Sequence, residues 1–205
     1  MTEPIVKGRN LVKRFGSVVG LNHADFDLYP GEVLAVIGDN GAGKSTLIKC
    51  FAGAHPPDEG EMWLQGEQVE FRSTHEARER GVETVFQTRA VAPALDVAAN
   101  LYLGREERKS GPLGSVLRML DKKGMRQRSS DHLQNLGIST LQNITQAVET
   151  LSGGQRQAVS VARAAAFGSQ VIILDEPTAA LGVRESAKVL NLVQDLRGRG
   201  ISVIL

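Results

Sequence analysis

Nine consecutive residues, Gly38–Asp39–Asn40–Gly41–Ala42–Gly43–Lys44–Ser45–Thr46, constrain this chain more than any other stretch. They fit the pattern G-x-x-x-x-G-K-[ST], a glycine-rich loop whose backbone amides cradle phosphate. Val33–Leu34–Ala35–Val36–Ile37 precedes them as an apolar run and predicts a buried parallel strand. Leu47, Ile48 and Phe51 follow at helical spacing and predict a helix from about Lys44. Without side chains, Gly41 and Gly43 let N–H groups turn inward around an anion, and the positive end of the helix points at the same place. Lys44 adds a full charge for the terminal phosphates, and Ser45 offers a hydroxyl to Mg²⁺. The alternative is a glycine turn that happens to precede a helix, and at this composition chance supplies such a match roughly once in a hundred chains.

The second strong signal lies far downstream. Val171–Ile172–Ile173–Leu174 is continuously apolar, hence a central parallel strand, and it delivers Asp175–Glu176 to its carboxyl edge. Carboxylates taken out of water are costly unless paired or metal-bound, so two adjacent acids there point to Asp175 as a Mg²⁺ ligand. Glu176 then polarises an attacking water. A structural acid pair is the competing view. Leu151–Ser152–Gly153–Gly154–Gln155 opens an alanine-rich helix from Arg156 to Phe167, and Ser with paired Gly at a helix start makes either an anion site or an ordinary cap. By chance this pentapeptide arises roughly once in a thousand chains.

Composition bounds what surrounds these motifs. A length of 205 residues with 41% hydrophobic and 23% charged residues suits one good core, or one with a smaller satellite. A net charge of +1 gives no basic field to hold nucleic acid by electrostatics alone. No apolar run approaches a membrane span and the first residues lack a secretion signal, so a membrane role is expected to come through a partner. The single Cys50 excludes an internal disulfide and a cysteine zinc site, and its place in the helix after the loop predicts buried filler.

Between the motifs, residues 5–30 alternate as two or three antiparallel strands, with Phe15 beside Gly16 as a base-stacking ring or a core aromatic. Pro56–Gly60 is a turn cluster, Met62–Leu64 a strand, Gln65–Gly66 a hairpin turn and Val69–Phe71 the return strand. Ser73 and Glu76 have capping-box spacing for a helix to about Arg80. Val82–Phe86 predicts a strand ending on Gln87, which is a loop residue or a metal contact at the strand's edge. Residues 90–150 read as helical: Pro93 and Asp96 open a stretch through Leu101, Gly104–Gly114 is a charged loop, and Lys122–Leu136 is a helix. The Arg105–Lys109 charge run reads as a solvated face. Val189, Leu192, Val193 and Leu196 share one face of a helix from Arg184, and Ile201–Leu205 starts another buried strand.

Taken together and in this order, the phosphate loop, Gln87, Leu151–Gln155 and Val171–Glu176 resemble the ATP-binding subunits of ABC transporters over essentially the whole chain. The phosphate loop, Ala92–Leu101 and Pro177–Val183 are most similar to the monosaccharide importer group, fructose or ribose type. The resemblance implies an α/β P-loop ATPase core with a mixed sheet and N-terminal antiparallel strands (1–89 and 151–205), with a helical subdomain inserted at 90–150. It makes Gly38 to Thr46 the ATP cradle, Phe15 the adenine-stacking ring, and Ser45, Gln87 and Asp175 the Mg²⁺ contacts. Glu176, Lys44 and Gln87 become the catalytic set. Ser152, Gly153, Gly154 and Gln155 cover the γ-phosphate of ATP held by an opposite copy, in a head-to-tail homodimer. Implied partners are membrane permease subunits and, indirectly, a periplasmic sugar-binding protein, with no nucleic acid. The implied location is the cytoplasmic face of the cell membrane. Two departures stand out. Gly182 occupies a place where the family usually has aspartate, and the family's γ-phosphate histidine lies beyond Leu205, where His23, His55, His75 and His132 cannot substitute. The expectation is therefore a Mg-dependent transport ATPase that is C-terminally truncated; the alternative is a module that binds ATP and hydrolyses it poorly.

Overall fold

A computed structural model describes residues 3–86, 91–136, 138, 141, 143–167, 169–179 and 181–205. Gln87 lies outside the described residues. The chain divides into two compact units, one of residues 1–86, 168–176 and 193–205, the other of residues 87–167 and 177–192.

The first unit holds two four-stranded sheets. Strands β1 (Val6–Phe15) and β2 (Val18–Leu28) form an antiparallel hairpin closed at Gly16–Ser17, with Phe15 opposite Val18. After β3 (Val33–Leu34) and α1 (Lys44–Phe51), β4 (Glu59–Leu64) joins β1, and β5 (Glu67–Val69) joins β4. The turn between the last two is Gln65–Gly66 as expected, with both residues at positive φ (54° and 80°), the geometry of a two-residue hairpin. Its return strand ends at Val69, short of the expected Phe71. Glu59 and Gly60 belong to β4 rather than to the preceding turn.

Helix α2 (Thr74–Glu79) starts where the Ser73 side chain accepts from the Glu76 amide. The reciprocal bond lands one residue early, from Arg72 N to Glu76 Oε2. It leads into β6 (Val82–Val85).

The second sheet is parallel, in the order β3, β8, β7, β6, once β7 (Val171–Leu174) and β8 (Ser202–Ile204) are added. All four residues of β7 are fully buried, as a strand paired on both sides requires. One apolar core joins the two sheets through α1: Val6, Leu28, Phe51, Phe71, Ile173 and Ile204 all belong to it. Phe26 and Phe51 pack with ring centroids 4.7 Å apart. Cys50 is fully buried in the same cluster, as predicted for filler, and burial pushes its thiol up to about 11.

The second unit is helical apart from two isolated β-bridges among the described residues. Asp96 caps α3 (Val97–Leu101) by accepting from the Ala99 amide, and short α4 (Pro112–Ser115) precedes α5 (Lys122–Asn135). Next comes α6 (Gly153–Ala165), and α7 (Val183–Gly198) begins in this unit and ends in the first. Val189, Leu192, Val193 and Leu196 are buried along one face of α7, matching the predicted periodicity. Asn100 is wholly buried, taking the Ala92 amide on Oδ1 and donating to the carbonyls of Ala92, Leu95 and Asp96. The charged run is more than a solvated face. The Arg105 guanidinium stands 4.5 Å from the centre of the Phe167 ring, and Glu107 pairs with Arg128.

Candidate functional site

In the first unit the phosphate loop runs from the carboxyl end of β3 into α1. The expected strand Val33–Ile37 is shorter than its apolar run, because the chain must leave the sheet to form the loop. Only Val33 and Leu34 are strand, the last ladder contact is Val36 N to Leu205 O (2.8 Å), and Ile37 is 88% exposed.

Helix α1 starts at Lys44 as predicted, after Gly43 at φ 87° with no side-chain cap. Gly43 has no room for a side chain, since a Cβ there would stand 2.4 Å from the Gly20 carbonyl oxygen. The first turn leaves the amides of Lys44, Ser45 and Thr46 without intrahelical acceptors, a ready anion site with the helix's positive end behind it. Lys44 Nζ donates to the carbonyls of Gly38 (2.7 Å) and Asp39 (2.8 Å), so the ammonium is folded over the loop it serves.

The acids stand at the same edge of the parallel sheet. Asp175 extends β7 by donating its amide to Val85 O (3.0 Å). Strands β3 and β7 are both parallel to β8 and flank it, so their carboxyl ends lie two strand spacings apart, roughly 10 Å. Partial burial and the neighbouring Glu176 carboxylate hold the Asp175 carboxyl above the usual range, against a smaller opposing effect of Lys49 on α1. Asp175 is half-buried, whereas Glu176 is exposed and not buried as the apolar strand suggested. Glu176 has φ 50°, a left-handed conformation that a non-glycine residue adopts at a cost of about 1 kcal/mol or more and that concentrates at functional sites.

Phe15, at the end of β1, is 44% exposed and so is no core aromatic. Its ring lies on the β2 backbone, where a Cβ on Gly20 would come within 2.9 Å of it, and the His55 ring meets it edge-on at 5.5 Å. The His55 amide bonds to Lys49 O, which ties the brace to the far end of α1 (3.1 Å). No sequence pattern marked His55 as a neighbour of Phe15.

In the second unit, Ser152 caps α6 in a full capping box. Its Oγ accepts from the Gln155 amide, and Gln155 Oε1 accepts from the Ser152 amide (3.0 Å). The cap is therefore real, and the first-turn amides of Gly153 and Gly154 still lack intrahelical acceptors.

The residues present fit a Mg–nucleotide: free amides and an ammonium for phosphate oxygens, and a hydroxyl and a carboxylate for the cation. Among the described residues no cluster of three or more His, Cys, Asp or Glu could hold a metal by itself. Mg²⁺ ordinarily takes one or two carboxylates together with phosphate oxygens and water. No helix among the described residues is long and apolar enough to cross a membrane.

Residues 21–179 match the family model described as ABC transporter. The chain is 60% identical over 203 residues to the fructose import ATP-binding protein FrcA of Rhizobium meliloti, covering 99% of this chain and 78% of that protein. It is 44% identical to the xylose/arabinose import ATP-binding protein XylG of Sulfolobus acidocaldarius, covering 96% of this chain and 75% of that one. Among solved structures, the ADP conformation of an ATP-binding cassette of an ABC transporter superposes with a TM-score of 0.84 at 28% identity, covering 99% and 80% of the two chains. A dimeric cassette in a post-hydrolysis state, bound to ADP and Pi, superposes with a TM-score of 0.75 at 26% identity, covering 97% and 86%.

Proposed function

The chain belongs to the ABC transporter family, and on that premise we propose that it is the ATP-hydrolysing subunit of an importer that carries a monosaccharide across the cytoplasmic membrane. One observation carries the proposal: the uncapped first turn of α1, with Lys44 over it, and the Asp175–Glu176 pair share one edge of one parallel sheet. That spacing suits a triphosphate with its cation.

In this mechanism the loop from Gly38 to Thr46 surrounds the phosphates with amides, and Lys44 exchanges its two carbonyl partners for phosphate oxygens. Phe15, braced by His55, stacks on the adenine. Ser45 and Asp175, with Gln87 by resemblance, hold Mg²⁺, which supplies charge neutralisation at the phosphate oxygens when bound. Glu176 accepts a hydrogen bond from a water and orients it toward the γ-phosphorus; as the water oxygen bonds to phosphorus the bond to the ADP oxygen breaks, and the water's protons leave with the inorganic phosphate.

The Ser152–Gln155 loop completes the site of a second copy, in a head-to-tail pair with two-fold symmetry. The dimeric cassette bound to ADP and Pi supports pairing of two copies. Permease subunits place the dimer on the inner face of the membrane, and a sugar-binding protein outside chooses the cargo. Fructose is the first sugar to test, given the 60% identity to a fructose import protein.

Steady-state Mg-ATP hydrolysis tests the proposal, with Glu176→Gln as the control. The variant is expected to bind ATP as the parent does and to lose turnover by at least a hundredfold. Equal turnover in parent and variant would remove Glu176 from the mechanism. ATP binding without turnover in the parent would favour the binding-only module.

A further inference from the structure

We infer that Glu185 is a positioning residue: its side chain packs the start of α7 onto Gly154 and thereby fixes where the Ser152–Gln155 loop presents its amides. The inference deepens, and rests on, the role proposed above for that loop. Neither Gly153 nor Gly154 has a positive φ, so neither is glycine for conformational reasons. Each costs the first turn of α6 about 1 kcal/mol relative to alanine. Something else must require the pair.

The two glycines differ in what surrounds them. A Cβ on Gly154 would stand 2.7 Å from Cγ and 2.9 Å from Cβ of Glu185, and that Cβ is fixed to the α7 backbone whatever rotamer the side chain takes. A Cβ on Gly153 would meet only Leu181 Cδ2, at 3.4 Å, an ordinary contact. Gly154 is thus glycine because a helix abuts it, whereas Gly153 leaves an open side for phosphate. The same Glu185 ends over Gly182, with Oε2 2.7 Å from where a Cβ would lie. Glu185 therefore lies against Gly154 with its stem and against Gly182 with its carboxylate. One side chain spans both loops.

A double-mutant cycle tests this: Gly154→Ala, Glu185→Ala, the two combined, and Gly153→Ala alone and with Glu185→Ala. Gly154→Ala is expected to lower turnover by on the order of a hundredfold by displacing the loop. Glu185→Ala is expected to lower kcat by about fivefold with ATP affinity of the isolated chain unchanged, and the double variant to recover part of the loss of Gly154→Ala, because alanine removes Cγ but keeps the Cβ that would stand 2.9 Å away. Gly153→Ala should stay inactive in both backgrounds. Glu185→Gln keeps the packing atoms Cβ and Cγ and should keep parental turnover.

The melting temperature without nucleotide should follow the same pattern, a fall of several degrees in Gly154→Ala that Glu185→Ala recovers in part. That measurement reads the contact even if the chain shows no turnover, so failure of the ATPase role and failure of this inference are separable. The inference is overturned if Gly154→Ala is equally damaged in both backgrounds. It is also overturned if Glu185→Ala rescues Gly153→Ala as well, or if Glu185→Gln behaves like Glu185→Ala.

Discussion

Lys44 is held by two carbonyls of its own loop, so the ammonium is pre-positioned over the phosphate site. Lys44→Ala should weaken ATP binding by on the order of ten- to a hundredfold, the value of one or two charge-assisted hydrogen bonds, as read by a fluorescent-nucleotide titration. Asp175 is raised because it is partly desolvated beside Glu176. With a folded-state value above the unfolded one, the folded form binds more protons between the two, and stability falls as pH rises from the ordinary aspartate range through the raised value. Above that window the penalty is fully present. Asp175→Asn should therefore raise the melting temperature of the nucleotide-free protein at neutral pH while abolishing Mg-dependent turnover. An unchanged or lower melting temperature would contradict the sign. Cys50, buried and pushed up to about 11, should resist alkylation at pH 8 in the folded protein and react on unfolding.

At the scale of elements, α6 carries two tasks at one end, and the cap separates them. Ser152→Ala removes the capping box and should destabilise the protein by about 1 kcal/mol in denaturant melts. Ser152→Asp is an equally good cap that places a negative charge where the γ-phosphate is proposed to sit. It should keep stability and lose turnover; turnover retained would show that the loop never meets phosphate. Local chemistry makes several elements legible in the sequence. Gln65–Gly66 could hardly be anything but a hairpin turn, Lys44 opened its helix, and the apolar stripe of α7 was set by its spacing. What the sequence concealed were contacts between residues distant along it. Ile37 is apolar yet exposed because the chain has to leave the sheet there, and Arg105 looked solvated because the Phe167 ring it covers comes much later in the chain. Asn100, with four bonds to the 92–96 backbone, gave no sign of being buried.

For the whole molecule, a site completed by a second copy, as proposed, would make activity a property of pairs. Specific activity should rise with protein concentration and level off once ATP-bound dimers saturate; a concentration-independent rate would mean that one chain suffices. The candidate site was legible in outline, since the loop, the acid pair and the capped glycines each carry their chemistry in adjacent residues. Glu185 and His55 were not, because neither belongs to a motif and each matters only through what it touches. The position of β8 between β3 and β7 has a further consequence, for synthesis. Gly31 N donates to Ser202 Oγ across 171 residues, and β3 and β7 have no shared neighbour until β8 is made. At about 5–20 residues per second, a ribosome spends roughly ten to thirty seconds between these partners. For that interval β3 waits without its partner, and only near its end does β7 appear, with the edge that will take β8 still open. The loop and the acids come to one edge only when β8 slots in between them, so the last of these strands to be made is the one that assembles the site.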